Sequence, residues 1–471
     1  MSRQHESSPN PQKAIAFFQQ PVWVRLLEAV YKKYMDRGIS GQVVLDQCTR
    51  EEQREIARFL QRSLPITNRL SVRLADFQEA LEQSSFACSL PELLQMLFPE
   101  RPHITRLQQR TRQTHSHQQF YADLCALIDA LPANSMGKYW LLYGKHGRDT
   151  LFRYHKNESR TAQEHFLQTL QIIVEALDQL PAPSSFFPLA QFSLQISGDP
   201  HFLDANTGSG RLFLSALADL RSLTASEATR RENEVASDVL DQEIHPTEQE
   251  HWRPLLYYEA GLLLDTVSST VAVFHLRSAW NHTGQIDPLV EAAGARVLVL
   301  PLRQLLAWKK LLSVSKQIYL FENPQVFEVL IDTLLQESMS PEGQREKLPT
   351  LVCTSGWPSV AAFRLLNLLT ESAPETLLYY SGDFDIQGLR IAAHLLARYP
   401  KQCRLWHFDP ASYLVALHSR GAALDANDLT GLQKLPPPFA ELSMYMQQRG
   451  QKAYQEGLVQ ALLEDIQHSL Y

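Results

Sequence analysis

The chain has 471 residues, a mass of 53.7 kDa, 44% hydrophobic and 20% charged residues, and a net charge of −7. That length predicts more than one domain, and the apolar content suffices for several cores without a disulfide or metal staple. Cys48, Cys88, Cys125, Cys353 and Cys403 are odd in number and form no CxxC pair. This argues against a disulfide framework and a zinc ribbon and predicts a reducing, cytoplasmic setting. Met1–Gln12 is polar and carries no signal-peptide core, and no apolar run approaches membrane-spanning length. The negative net charge argues against a generic nucleic-acid coat but leaves room for a local basic groove.

Residues 13–130 read as a mostly helical part. Trp23, Leu26, Leu27, Val30 and Tyr31 recur at helical spacing. Thr49 can cap a following helix, and Glu52, three residues on, completes a capping box. Short β-like pieces at Gly41–Leu45 and Leu70–Leu74 lie between helices, which suggests small winged-helix-type units. Arg101 to Arg160 then carries ten Lys/Arg against four acids, a balance of +6. Arg101, Arg106, Arg110 and Arg112 come with no acid before Asp123, and Arg106 and Arg110 share a helical face. Lys145 and Arg148 lie among Tyr139, Trp140, Tyr143 and Tyr154, a mixture that suits either nucleic-acid contact or a core. A solvated face is the plain reading of the arginines; contact with DNA phosphate is the functional one. His103, His115 and His117 lack metal-site spacing.

Turn-rich composition marks joints at Leu131–Lys138, Leu180–Pro188 and Gly198–Arg211. The GxG of Asn206–Arg211 has Phe213 where a third glycine belongs and no Walker lysine, so it reads as a tight turn before the helix Leu212–Leu220. Asp219–Glu250 holds nine acids against three arginines and is expected to face away from DNA or to act as a gate. Ser268–Leu276 reads as a strand.

The last third has a sharper rhythm. Strands at Gln317–Glu322, Thr350–Thr354, Thr376–Tyr380 and Cys403–Phe408 alternate with helices at Pro324–Gln336, Ser359–Leu369 and Gln387–Arg398, with loops at Pro341–Pro349 and Pro436–Pro438. This predicts a parallel α/β sheet. In such sheets ligands bind beyond the carboxyl ends of the strands, where strand order reverses. Glu322 closes the first of these strands, and Asp383 and Asp385 close the third. In a flavodoxin-like order those two strands are neighbours. The two aspartates, two apart on extended backbone, leave one face. Three convergent carboxylates without thiol or imidazole suit a hard cation, Mg²⁺ or Mn²⁺. Taken singly, each acid is adequately explained as a loop residue or helix cap.

Glu322-Asn323-Pro324, Ser355-Gly356-Trp357-Pro358 and Asp383-Phe384-Asp385-Ile386-Gln387-Gly388 together resemble a Toprim domain, over about residues 290–415. Toprim domains occur in type IA and type II topoisomerases, primases and related nucleases. The acid-x-acid segment is similar to that of the topoisomerase VI A subunit, with Ile386 where that family has proline. The Glu-Asn-Pro form and the layout of a helical start, a middle part and a Toprim end resemble the JetD family, the nuclease subunits of Wadjet plasmid-defence systems that work with a condensin-like SMC–kleisin complex. Upstream the match is looser, resting on Gly198-Asp199-Pro200 and Asp265–Leu276.

The resemblance implies a multidomain α+β and α/β chain. An N-terminal arm, 1–130, has winged-helix-like units. A middle domain, 131–290, is of the winged-helix DNA-binding kind. A Rossmann-like Toprim domain spans 291–471. It also implies a Mg²⁺-dependent double-stranded DNA endonuclease that works as a homodimer. Asp383 and Asp385 would hold the metal, and Glu322 would be a ligand or the general acid/base. Three other readings compete. A topoisomerase VI-like transesterase needs a tyrosine nucleophile, yet Tyr257 and Tyr258 sit in the apolar LLYYEAGLLLD, where core packing is expected and water is the predicted attacker. A haloacid-dehalogenase-type phosphatase wants a hydroxyl residue where Gln387 stands. A non-catalytic scaffold could use the same fold.

Overall fold

The computed structural model describes residues 11–62, 68–183, 185–232, 246–337, 348–418 and 420–470. The side chains of 225–250 lie outside the described residues, so the acidic stretch Asp219–Glu250 is described at its start alone, and most of the loop Pro341–Pro349 falls outside too. The chain divides into two units, Met1–Ala130 with Leu151–His165, and Leu131–Thr150 with Phe166–Tyr471. No described helix is long and apolar enough to cross a membrane.

In the N-terminal unit the helix Pro21–Arg37 buries Trp23, Leu26, Leu27, Val30 and Tyr34. Tyr34, rather than Tyr31, completes the stripe: Tyr31 turns to the rim and its hydroxyl donates to the Pro102 carbonyl at 2.7 Å. Thr49 caps the helix Arg50–Phe59 as its sequence predicts. Its hydroxyl accepts from the Glu52 amide at 3.1 Å, and the Glu52 carboxylate accepts from the Thr49 amide at 2.7 Å. The two β-like pieces pair antiparallel across the intervening helix, β1 (Gln42–Asp46) with β2 (Arg69–Arg73), each alternating exposed and buried residues. The buried side of this strand pair supplies Val43, Leu45, Leu70 and Val72 to a core with Phe18, Trp23 and Phe77. Phe18 and Trp23 meet edge to face at 5.2 Å, a pairing worth about 0.5–1.5 kcal/mol beyond its area. The helix Arg106–Ala130 follows, and its buried residues Phe120, Leu124 and Ile128 lie in its second half.

The larger unit begins with helices, among them Met136–Tyr143, Leu189–Ser197 and Gly208–Glu232. The tight turn expected around Asn206–Arg211 is present. A Cβ on Gly210 would overlap the Asp204 carbonyl, so only glycine fits. Two residues of β3 (Phe187–Pro188) pair with two of β4 (Leu262–Leu263).

The expected strand Ser268–Leu276 is two strands, β5 (Thr270–Phe274) and β6 (Leu276–Asn281). Between them His275 has φ +58 and lies buried, with ring Nδ1 2.8 Å from the Leu348 carbonyl. This kink sends β6 out of the main sheet to pair with β8 (Trp308–Ser313). The main sheet has six strands in the order β12-β11-β9-β10-β5-β7. Here β7 is Val297–Pro301, β9 Gln317–Phe321, β10 Thr350–Cys353, β11 Leu377–Ser381 and β12 Cys403–Leu405. The last four are parallel, as the βα rhythm predicts. The sheet as a whole is mixed, because β5 runs antiparallel to β10 and to β7. A purely parallel sheet is therefore corrected to a mixed one. Its strands read as apolar runs because helices pack on it: β9 and β10 are buried almost throughout, and the helix Val360–Ser372 buries nine side chains.

Candidate functional site

The strands that end in acids, β9 and β11, are hydrogen-bonded neighbours, with Phe321 opposite Ser381. Just beyond them, Glu322 and Asp383 come together. Glu322 Oε2 accepts from the Asp383 amide at 3.2 Å and from the Tyr380 hydroxyl at 3.2 Å. Gly382 leaves room for the two side-chain ends at this crossing. A Cβ there would lie 2.6 Å from Glu322 Oε2 and 2.7 Å from the Tyr380 hydroxyl. The turn after β10 holds the other side of Glu322. Ser355 (φ +53) and Gly356 (φ +83) adopt left-handed backbone, and the Gly356 amide donates to the Glu322 carbonyl at 3.1 Å. A serine in that region is a strained residue beside a functional candidate.

Asp383, Phe384 and Asp385 follow. Phe384 turns into the core and its backbone bridges to Ala453. The two aspartates are half-buried. Asp385 is the N-cap of the helix Ile386–Arg398, its Oδ1 accepting from the Gly388 amide at 2.8 Å. Gly388 brings that helix close, since a Cβ would overlap the Asp383 carbonyl oxygen.

Burial, then the charge of Asp383, raises Glu322 to a pKa of about 7, with Asp385 adding to it and the Asp383 amide opposing it. Burial also raises Asp383 to about 6, against its hydrogen bond from the Gln455 amide and with help from Asp385 and Glu456. Among the described residues, no Lys or Arg ion pair reaches either group. Two desolvated acids sharing a corner with no cation are a donor set that a hard divalent ion would compensate. The arrangement stops short of a ready-made ligand trio: among the described residues no group of three His, Cys, Asp or Glu side chains is set to hold a metal. Asp385 has one oxygen turned toward its own helix by its capping role.

Sequence reasoning missed the segment 451–458, which returns to these strand ends from far along the chain. The Gln455 amide donates to Asp383 Oδ1 at 2.8 Å. Glu456 adds a carboxylate, with Oε1 accepting from Asn323 Nδ2 at 2.8 Å. Lys452 Nζ pairs with Asp428 at 2.8 Å. Burial pulls that ammonium down, but Asp428 and the charges of Asp385 and Asp425 leave its pKa raised. No local motif marks these residues; long-range chain return alone brings them in.

The basic candidates divide between the two units. Arg101 is satisfied internally: it forks onto Glu28 at 2.7 and 2.9 Å and lies over the Phe98 ring at 4.3 Å. Arg106 pairs with Asp36 at 2.8 Å. Arg110 and Arg112 are exposed on the same helix. Lys145 is exposed and Arg148 half-buried beside Asp149 at 2.9 Å, both in the larger unit. A groove of about 720 Å³ in the N-terminal unit is lined by Lys32, Lys33 and Arg106 along with Asp36, Gln42 and Val44. Lys32 and Lys33 escape a charge count that starts at Arg101. Tyr257 is fully buried with its hydroxyl on the Leu203 carbonyl, and burial pushes it and Tyr258 up.

A family model described as a protein of unknown function N-terminus (DUF3323) matches residues 39–278. A second, described as a protein of unknown function C-terminus (DUF2399), matches residues 298–466. The first spans half of the chain, and the protein belongs to this family. No curated protein matches the sequence.

Proposed function

We propose that the protein is a divalent-cation-dependent DNA endonuclease with a Toprim domain at its C-terminal end. In this reading it is the nuclease subunit, JetD, of a Wadjet-type system, cutting plasmid or other circular double-stranded DNA with a condensin-like SMC–kleisin complex in the cytoplasm. The observation that carries the reading is the meeting of Glu322 and Asp383 at the carboxyl ends of adjacent parallel strands, with Asp385 two residues on. Asp383 and Asp385 would hold Mg²⁺ or Mn²⁺, and Glu322 would be a further ligand or the group that holds and moves a proton at the scissile phosphate. A bound divalent ion supplies neutralisation of phosphate charge. The chain's residues supply position: Gly382 lets Glu322 approach, Tyr380 and the Asp383 amide orient it, and the Gly388 turn sets Asp385.

DNA is held, in this proposal, by exposed Arg110 and Arg112, by Lys32 and Lys33 along the N-terminal groove, and by Lys145. The paired strands β1 and β2 with the helices around them are read as a winged-helix-type unit. A homodimer supplies two sites for a double-strand cut. The burial of Tyr257 and Tyr258 favours attack by water over a transesterase.

The test incubates supercoiled and relaxed circles with the protein and Mg²⁺ or Mn²⁺, with and without its SMC partners. The expected result is cation-dependent nicked or linear DNA with protein-free ends, abolished by Asp383→Ala. Cut DNA that follows protein into phenol, and ceases to in Tyr257→Phe or Tyr258→Phe, would favour the transesterase. Absence of cutting in every combination would leave the scaffold reading.

A further inference from the structure

One short turn crosses to both of the acid-bearing strand ends. The Gln455 backbone amide donates to Asp383 Oδ1 at 2.8 Å, beyond β11. Its side-chain Oε1 accepts from the Asn323 amide at 3.0 Å, beyond β9. Glu456 adds the bond from Asn323 Nδ2 at 2.8 Å. The Phe384–Ala453 bridge, with N–O distances of 2.9 and 3.3 Å, fixes the turn two residues earlier. Gln455 is fully buried, while its partners Asn323 and Asp383 are half-buried. Its Nε2 is also buried and has no hydrogen-bond partner among the described residues. A glutamine kept in a core with half of its amide unmatched is costly as packing alone. The arrangement is better explained by what the matched half holds.

We propose that Gln455 is a positioning residue that sets the spacing of Glu322 and Asp383, and through it the affinity of the carboxylate pair for a divalent cation. The Oε1 bond fixes the residue after Glu322, and the amide bond fixes Asp383 itself. Loss of the first frees the β9 end to move relative to the β11 end. The cation step rests on the nuclease reading above; the spacing step does not.

Two substitutions separate positioning from packing. Gln455→Met keeps the volume and removes the acceptor. Gln455→Glu keeps an acceptor for the Asn323 amide and adds charge in a buried place. A residue that merely fills space tolerates Met and suffers from Glu; a positioning residue shows the reverse order in cation binding. Amide hydrogen exchange, measured without cation on the full chain, reads the spacing directly. Gln455→Met is expected to speed exchange at Asn323 and Asp383 at least tenfold, with the thermal midpoint of the larger unit nearly unchanged. Binding of Mn²⁺ alone, followed by the free-ion electron paramagnetic resonance signal, is expected to weaken about tenfold in Gln455→Met and to stay within about threefold of wild type in Gln455→Glu. Unchanged exchange at both amides in Gln455→Met overturns the proposal, as does wild-type Mn²⁺ affinity in that variant. A wild-type chain that binds no Mn²⁺, with exchange still accelerated in Gln455→Met, retains the spacing role and discards the cation-centre reading.

Discussion

Glu322 meets neighbours that pull its proton in opposite directions, and burial decides the outcome. An acid whose pKa is higher folded than unfolded stabilises the fold in full only while protonated. For Glu322 that contribution is complete below its ordinary value of 4.5 and is lost as pH rises through about 7. For Asp383 the loss runs from 3.8 to about 6. In cation-free buffer the larger unit should therefore lose stability between about pH 4 and 7. Glu322→Gln should flatten that profile and be the more stable form at about pH 8, by on the order of 1–3 kcal/mol. Urea midpoints across pH check this; parallel profiles for both forms would remove Glu322 as the titrating group. Gly382→Ala tests the same corner sterically. Its Cβ would meet Glu322 Oε2 at 2.6 Å, and cation-dependent cleavage should fall at least tenfold. Among the arginines, Arg101→Ala should lower the stability of the N-terminal unit and leave the salt dependence of DNA binding alone, because Glu28 and Phe98 already occupy it.

Elements announce themselves in this sequence where local chemistry suffices. The Thr49–Glu52 capping box, the two short strands β1 and β2 and the four strands of the βα rhythm are local signals, and each is present. Thr49→Ala should cost the N-terminal unit about 1 kcal/mol, read as a lower thermal midpoint for that unit. Expectation and structure part where long-range contacts take over. Ser268–Leu276 reads as one continuous strand, so nothing local marks His275 as a break; its left-handed backbone is held by Leu348 and Thr350, more than seventy residues away. The mixed character of the sheet has the same origin, since the direction of β5 is set by what it pairs with. At the site, Glu322, Asp383 and Asp385 were legible as acids at strand ends. Gln455 and Glu456 were not, because neither type nor spacing separates them from any polar turn.

At the scale of the whole molecule, the basic residues singled out along Arg101–Arg160 serve more than one purpose. Internal ion pairs take Arg101 and Arg160, the latter on Asp123 at 2.6 Å. Arg110 and Arg112 remain exposed beyond the packed half of their helix. Arg110→Ala with Arg112→Ala should weaken duplex binding and reduce the slope of log affinity against log salt by about 0.9 for each phosphate no longer neutralised. An unchanged slope would return both residues to a solvated face. Sedimentation equilibrium should give a mass twice the 53.7 kDa of the chain, and a monomer at working concentration would argue against paired sites.

Synthesis reaches the acids well before it reaches the turn that braces them. Gln455 follows Asp383 by 72 residues and Asn323 by 132. At ribosomal speeds of roughly 5–20 residues per second, the acids emerge roughly 4–14 seconds or more ahead of that turn. During that interval the acid-bearing segments exist, while the bonds from Gln455 do not. A nascent chain therefore carries its acids unbraced until nearly all of the larger unit has been synthesised.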